Sequence, residues 1–170
     1  MTTSIRTIEE LLAHALAIER EAAARYREFA DQMLIHNNRA VAELFEWLAE
    51  MESQHHARLQ ERARDHIPAP LKPCEYRWVD PESPEACSLD ALCYLMSPRH
   101  GLEIALANER RAFRFFENVG QSFDCAEDVR HMAWEFAAEE KDHVARLERM
   151  IERTPAPEGR QGVGPPVEVD

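Results

Sequence analysis

Two short segments of this 170-residue chain place a glutamate three positions before a histidine: Glu52 with His55, and Glu140 with His143. Three residues is close to one helical turn, so on a helix each pair presents a carboxylate and an imidazole to the same side. Such a pair is suited to a metal cation, because imidazole supplies a nitrogen ligand without adding charge and carboxylate supplies oxygen with one negative charge. One copy means little, since 24 Glu and 8 His in a chain of this length produce the spacing about once by chance. Two copies in matching surroundings mean much more.

The surroundings do match. Residues 15 to 31, ALAIEREAAARYREFAD, align with residues 105 to 121, ALANERRAFRFFENVGQ, so that Glu19 falls on Glu109. The segment from Glu52 to Leu59 aligns in the same way with that from Glu140 to Leu147. The offsets are 90 and 88 residues, which reads as one helical hairpin used twice.

Each of the four glutamates lies where a leucine would be expected. Residues three, four or seven positions from Glu19 are Leu12, Ala15, Leu16, Ala22, Ala23 and Tyr26; around Glu109 they are Leu102, Ala105, Leu106, Ala112, Phe113 and Phe116. Glu52 shares its face with Phe45, Leu48, Ala49 and Leu59, and Glu140 with Ala133, Phe136, Ala137, Val144 and Leu147. Four buried carboxylates must be neutralised or find positive charge, and no lysine or arginine occupies these stripes. Two divalent cations would balance them. The predicted ligands are Glu19, Glu52, His55, Glu109, Glu140 and His143.

Helices must position these side chains, and proline and glycine mark where helices can run. All ten prolines lie within 68–98 or 155–166 and all five glycines at 101 or later, leaving 8–65 and 99–153 free for long helices. Thr7 and Glu10 form a capping box that starts a first helix reaching about Ile35; Asn38 caps a second reaching about Asp65. Ser97 followed by Pro98 starts a third, which Gly120 stops, and Asp124 with Glu127 has capping-box spacing for a fourth ending near Arg153. The expected fold is all-α: a four-helix bundle over residues 1–153, made of two repeated hairpins joined by a long crossover at 66–97, with a disordered tail at 154–170. The crossover has room for one short helix over Leu89–Met96. Glu19 and Glu52 lie comparable distances from the turn at 36–38, so they can sit level; Glu109 and Glu140 are about one helical turn out.

Composition narrows the function further. Asp and Glu outnumber Lys and Arg by 32 to 20, and a net charge of −12 repels phosphate backbones, so nucleic acid is not an expected partner. No apolar run is long enough to span a membrane. The start MTTSIRTIEE lacks a basic region followed by an apolar stretch, which makes the cytoplasm the expected location. Cys74, Cys87, Cys93 and Cys125 include no Cys-x-x-Cys pair and read as free thiols.

A glutamate on the first helix, Glu-x-x-His on the second, and the same again on the third and fourth resemble the ferritin-like di-iron carboxylate proteins, above all the rubrerythrins and bacterioferritins. The resemblance covers about residues 8–153 apart from the crossover. It implies that the six residues bind two iron ions, with Glu52 and Glu140 as bridges; manganese or zinc could occupy the same set. Tyr26, seven residues after Glu19, matches the tyrosine these families keep beside the metals. The cysteines of the rubredoxin domain that peroxide-reducing rubrerythrins carry are missing from this sequence, and Ala112 stands where they carry a further glutamate. Ser53 stands where bacterioferritins carry a haem-ligating methionine, so no haem is expected.

The resemblance implies a di-iron oxidoreductase that reduces hydrogen peroxide or dioxygen with electrons from an external donor not identified by the sequence. Ferroxidase activity with iron storage is the alternative within the same superfamily, and a non-catalytic, metal-stabilised bundle is the alternative outside it. Bundles of this type commonly form homodimers or larger homo-oligomers. His56 lies about 100° around the helix from His55 and is assigned to packing or to supporting the ligands. His14, His36, His66, His100 and His131 are assigned to surface or capping roles, and Trp47 and Trp134 to the core or helix interfaces.

Overall fold

The computed structural model describes residues 5–66, 68–71, 76–78, 83–85, 93 and 95–156, and among these the only regular elements are four helices. They are α1 (Ile8–Ile35), α2 (Arg39–Arg62), α3 (Pro98–Gln121) and α4 (Glu127–Arg153). The four-helix architecture matches expectation. Cys74, Cys87, most of the helix expected over Leu89–Met96, and the tail from 157 onward lie outside the described residues.

Three of the four starts are capped as their sequences dictate. Thr7 accepts from the Glu10 backbone N–H at 3.1 Å, Asn38 from that of Val41 at 3.4 Å, and Ser97 from that of His100 at 3.2 Å. The return bond of the first capping box falls one residue early, from Arg6 N–H to the Glu10 carboxylate. The fourth start corrects the expectation: α4 is capped by Ala126 without a side-chain bond, and Asp124 lies in a turn before it. The neighbouring Cys125 is buried and its thiol donates to the Ile5 carbonyl, which turns the chain once more before the helix begins. Helix α2 also stops at Arg62, three residues before the expected end.

Helices α1 and α2 pack as one hairpin and α3 and α4 as another. Asn38, at the α1–α2 turn, donates through its side-chain amide to the Met96 carbonyl just ahead of α3 at 2.9 Å. The second hairpin therefore starts at the end where the first one turns, so α2 and α3 run parallel and the crossover spans the length of the bundle. Because Asn38 serves both as cap and as tie, Asn38→Ala should cost about 1–2 kcal/mol. Urea denaturation at unchanged slope would show it, and an unchanged midpoint would contradict it.

The core is divided. One cluster contains Leu11, Leu12, Ile18, Leu59, Phe115, Phe116, Val129 and Phe136; the other contains Tyr26, Phe29, Met33, Val41, Phe45, Leu102 and Leu147. Along every helix the boundary between them falls at the predicted ligands: Glu19 follows Ile18, Glu52 and His55 precede Leu59, Glu109 precedes Ala112, and Glu140 and His143 precede Leu147. Two apolar slabs thus enclose one polar layer.

Trp47 and Trp134, assigned to the core or helix interfaces, are 39% and 44% exposed and so are not core residues; the Trp134 ring on α4 packs over Gly120 of α3 and keeps the interface role. One histidine assignment is overturned. His14 is buried. Its Nδ1 bonds to the Glu10 carbonyl at 2.7 Å and its Nε2 accepts from the Arg77 backbone N–H at 3.1 Å, while its ring meets Trp78 edge-on. It pins the crossover to α1, and burial lowers its pKa.

Candidate metal centre

All six predicted side chains converge in the polar layer. Glu19, Glu52 and His55 each place a ligand atom within 4.8 Å of the others, and Glu109, Glu140 and His143 do the same. Each hairpin supplies one triad, as the repeat requires. The triads face each other: the His55 and His143 rings stack with centroids 4.2 Å apart and planes inclined by 12°. The carboxylates are buried.

The contacts inside each triad are close but incompletely bonded. His55 Nδ1 lies 3.3 Å from Glu52 and 3.7 Å from Glu19, neither with hydrogen-bond geometry. His143 Nδ1 bonds to Glu140 at 3.1 Å and lies 3.3 Å from Glu109. Glu19 Oε2, His55 Nδ1 and Glu109 Oε2 are left buried with no hydrogen-bond partner. Native interiors rarely tolerate several orphaned polar atoms facing one another. Among the described residues, the ion-pair partners of these carboxylates are the two histidines, and no arginine or lysine. Four carboxylates and two imidazoles are a suitable donor set for a pair of divalent first-row ions, so the residues fit such a pair.

The electrostatics agree. Burial, reinforced by Glu109 and Glu19 against the pull of His55, pushes Glu52 up to about 8. Burial also drives Glu140 well above the usual carboxylate range. Burial works to lower both histidines, but the adjacent glutamates outweigh it and hold His55 at about 9 and His143 at about 11. In the metal-free protein at neutral pH, protons therefore stand where cations would.

Tyr26 is 1% exposed and its hydroxyl accepts from the Asn108 side-chain amide at 2.9 Å. Burial, then the charges of Glu52, Glu109 and Glu85, raise its pKa well above the ordinary phenol value, so it stays protonated. His56 is half-buried and joins neither triad.

Sequence reasoning missed Glu85. This crossover residue is 2% exposed and feels the charges of Glu109, Glu19, Glu140 and Glu52. Nothing periodic surrounds it, so its sequence context gave no sign of burial.

A cavity of about 200 Å³ adjoins the layer. Glu19, His55, Glu140 and His143 form its polar wall, Leu59, Phe116 and Phe136 its apolar wall, and Arg58 and Arg62 also line it. Arg62 on α2 pairs with Glu135 and Glu139 on α4 and lies over the Phe136 ring.

A family profile for rubrerythrin matches residues 10–81, a stretch containing Glu19, Glu52 and His55. The crystal structure of an uncharacterised conserved protein from Magnetospirillum magnetotacticum is similar over 89% of this chain and 98% of that one, with 37% identity and a TM-score of 0.63. No curated protein matches the chain. None of the described helices is long and apolar enough to cross a membrane.

Proposed function

Because the chain belongs to the rubrerythrin-like ferritin superfamily, we propose that its two Glu–Glu–His triads hold a pair of iron ions and that the bundle reduces hydrogen peroxide or dioxygen there. When bound, the two ions supply one electron each as Fe(II) passes to Fe(III), which matches the two-electron cleavage of an O–O bond. The observation that carries the proposal is the pair of facing triads with orphaned donors, set against a cavity of small-molecule size.

The protein's own contribution is positional. Two rigid hairpins fix the triads opposite each other, and the apolar slabs keep bulk water from competing for the ligands. The walls of Leu59, Phe116 and Phe136 suit a small neutral oxidant. Glu52 and Glu140 would hold the metal pair together with their own histidines, which already lie within reach of them. The buried Tyr26 phenol keeps its proton and is held by Asn108, so it can donate a hydrogen bond toward the centre without adding charge.

The test is anaerobic loading with Fe(II) followed by rapid mixing with peroxide. Two irons bound per chain, oxidised faster than free Fe(II) with about one peroxide consumed per pair, are expected. Uptake of far more than two irons into a hollow assembly would favour storage instead. No reaction beyond that of free iron, with zinc retained after purification from iron-replete cells, would leave a structural metal site.

A further inference from the structure

The crossover brings a fifth carboxylate to the polar layer. Ser83, Pro84 and Glu85 are all buried, although they belong to no helix or strand. Glu85 Oε1 is shielded from solvent and has no hydrogen-bond partner. A carboxylate at a buried position needs a compensating proton, donor or cation, and the cost of leaving it unpaired is several kcal/mol. Among the described residues no arginine bonds to the Glu85 carboxylate. Arg111 spends its Nε on the Pro84 carbonyl at 2.8 Å and another nitrogen on the Asn108 side chain.

That arrangement positions Glu85. Arg111 lies two residues after the ligand Glu109 and holds the backbone carbonyl immediately before Glu85. Asn108, immediately before Glu109, links Arg111 to the Tyr26 hydroxyl. A chain of bonds therefore runs from the crossover through α3 to α1. Burial first, and then the charges of Glu109, Glu19, Glu140 and Glu52, raise the pKa of Glu85, whose side chain stands outside both triads. Position 112, one turn beyond Glu109, carries alanine and offers no competing carboxylate from α3.

We propose that Glu85 is a further metal ligand of this centre, delivered by the crossover and held in place by the grip of Arg111 on the Pro84 carbonyl. It rests on the reading of the two triads as a metal pair. With Glu85 the donor set rises from six side chains to seven and from four carboxylates to five. A five-carboxylate site over-balances two divalent ions and holds a more highly charged pair better, by the same charge matching that selects the first four.

The test uses the full chain and Co(II), whose visible absorption weakens as coordination number rises. Wild type and Glu85→Gln are titrated anaerobically, with circular dichroism melts run beside them. Two Co(II) bound in both, with at least about tenfold weaker affinity and stronger, shifted visible bands in the variant, is the expected result. Identical affinity and spectra would reduce Glu85 to a neutral space-filler and overturn the proposal while leaving the metal pair intact. Failure of the wild type to bind two ions would overturn the pair itself and Glu85 with it. Should Glu85→Gln not fold, diffraction from cobalt-loaded wild type decides: a Glu85 oxygen within about 2.2 Å of an ion supports ligation, and one turned away sinks it.

Discussion

Replacing Glu52 and Glu140 together by glutamine is expected to abolish the metal pair and, above about pH 8, to make the metal-free bundle more stable than wild type. The two effects share one cause. Both carboxylates are buried, and burial with the neighbouring glutamates raises Glu52 to about 8 and Glu140 well above its usual range. Their ionised forms therefore oppose folding unless a cation compensates them. Glutamine keeps the length of the side chain and its capacity to bond to His55 and His143 while removing the charge. Loss of even a supporting residue commonly costs a metal site 10–100-fold, so removal of a ligand from each triad should cost at least ~100-fold in affinity. The apo-state gain should be about 1–3 kcal/mol at alkaline pH and vanish below about pH 4.5, where the carboxyls are neutral in the folded and the unfolded chain alike. Metal titration and paired melting curves read both. A variant that still binds two ions would remove these residues from the ligand set. A variant that loses metal and is also less stable when metal-free would show that the carboxylates hold the fold together on their own.

The same contrast between buried charge and apolar neighbours is what made the centre legible before any coordinates. A glutamate with leucines and alanines three and four residues away is conspicuous because helix periodicity fixes its face, and the repeat supplied an internal second copy. The capped starts at Thr7, Asn38 and Ser97 were legible for a similar reason: their signals are local. Features that depend on distant chain segments were not. His14 reads as a surface residue until residues 76–78 cover it, and Glu85 reads as a loop acid until Arg111 draws its backbone inward. Trp47 and Trp134 each lie one residue off an apolar stripe, about 100° around the helix, which sets them at the edge of the bundle rather than in its core. Asp124 had the right residue at the right interval, but the bend at the buried Cys125 delayed the helix.

Melting the metal-free and metal-loaded protein across pH should give two curves that diverge as pH rises. In the metal-free state Glu52 is raised from the ordinary 4.5 to about 8, and His55 and His143 from 6.5 to about 9 and about 11. All three shifts have the same sign: the native state binds more protons than the unfolded chain. Stability therefore falls with rising pH wherever these groups titrate. The contribution of Glu52 is complete below about 4.5 and lost through 8; that of His55 is complete below 6.5 and lost through 9; that of His143 persists longest. Between pH 5 and 9 the metal-free midpoint should fall by roughly 10 °C, as expected for a loss of several kcal/mol in a chain of this size. Cations reverse the trend, because they need the same side chains deprotonated and replace the protons with a charge that does not titrate. Loading at pH 7 should then release about two to four protons per pair, measurable by calorimetry in buffers of different ionisation enthalpy. Affinity should rise with pH over the range in which the metal-free fold weakens. A metal-free protein whose midpoint climbs from pH 5 to 9, or loading without proton release, would mean that burial does not keep Glu52 protonated, that the glutamates do not keep the imidazoles protonated, and that the cluster is not waiting for a cation.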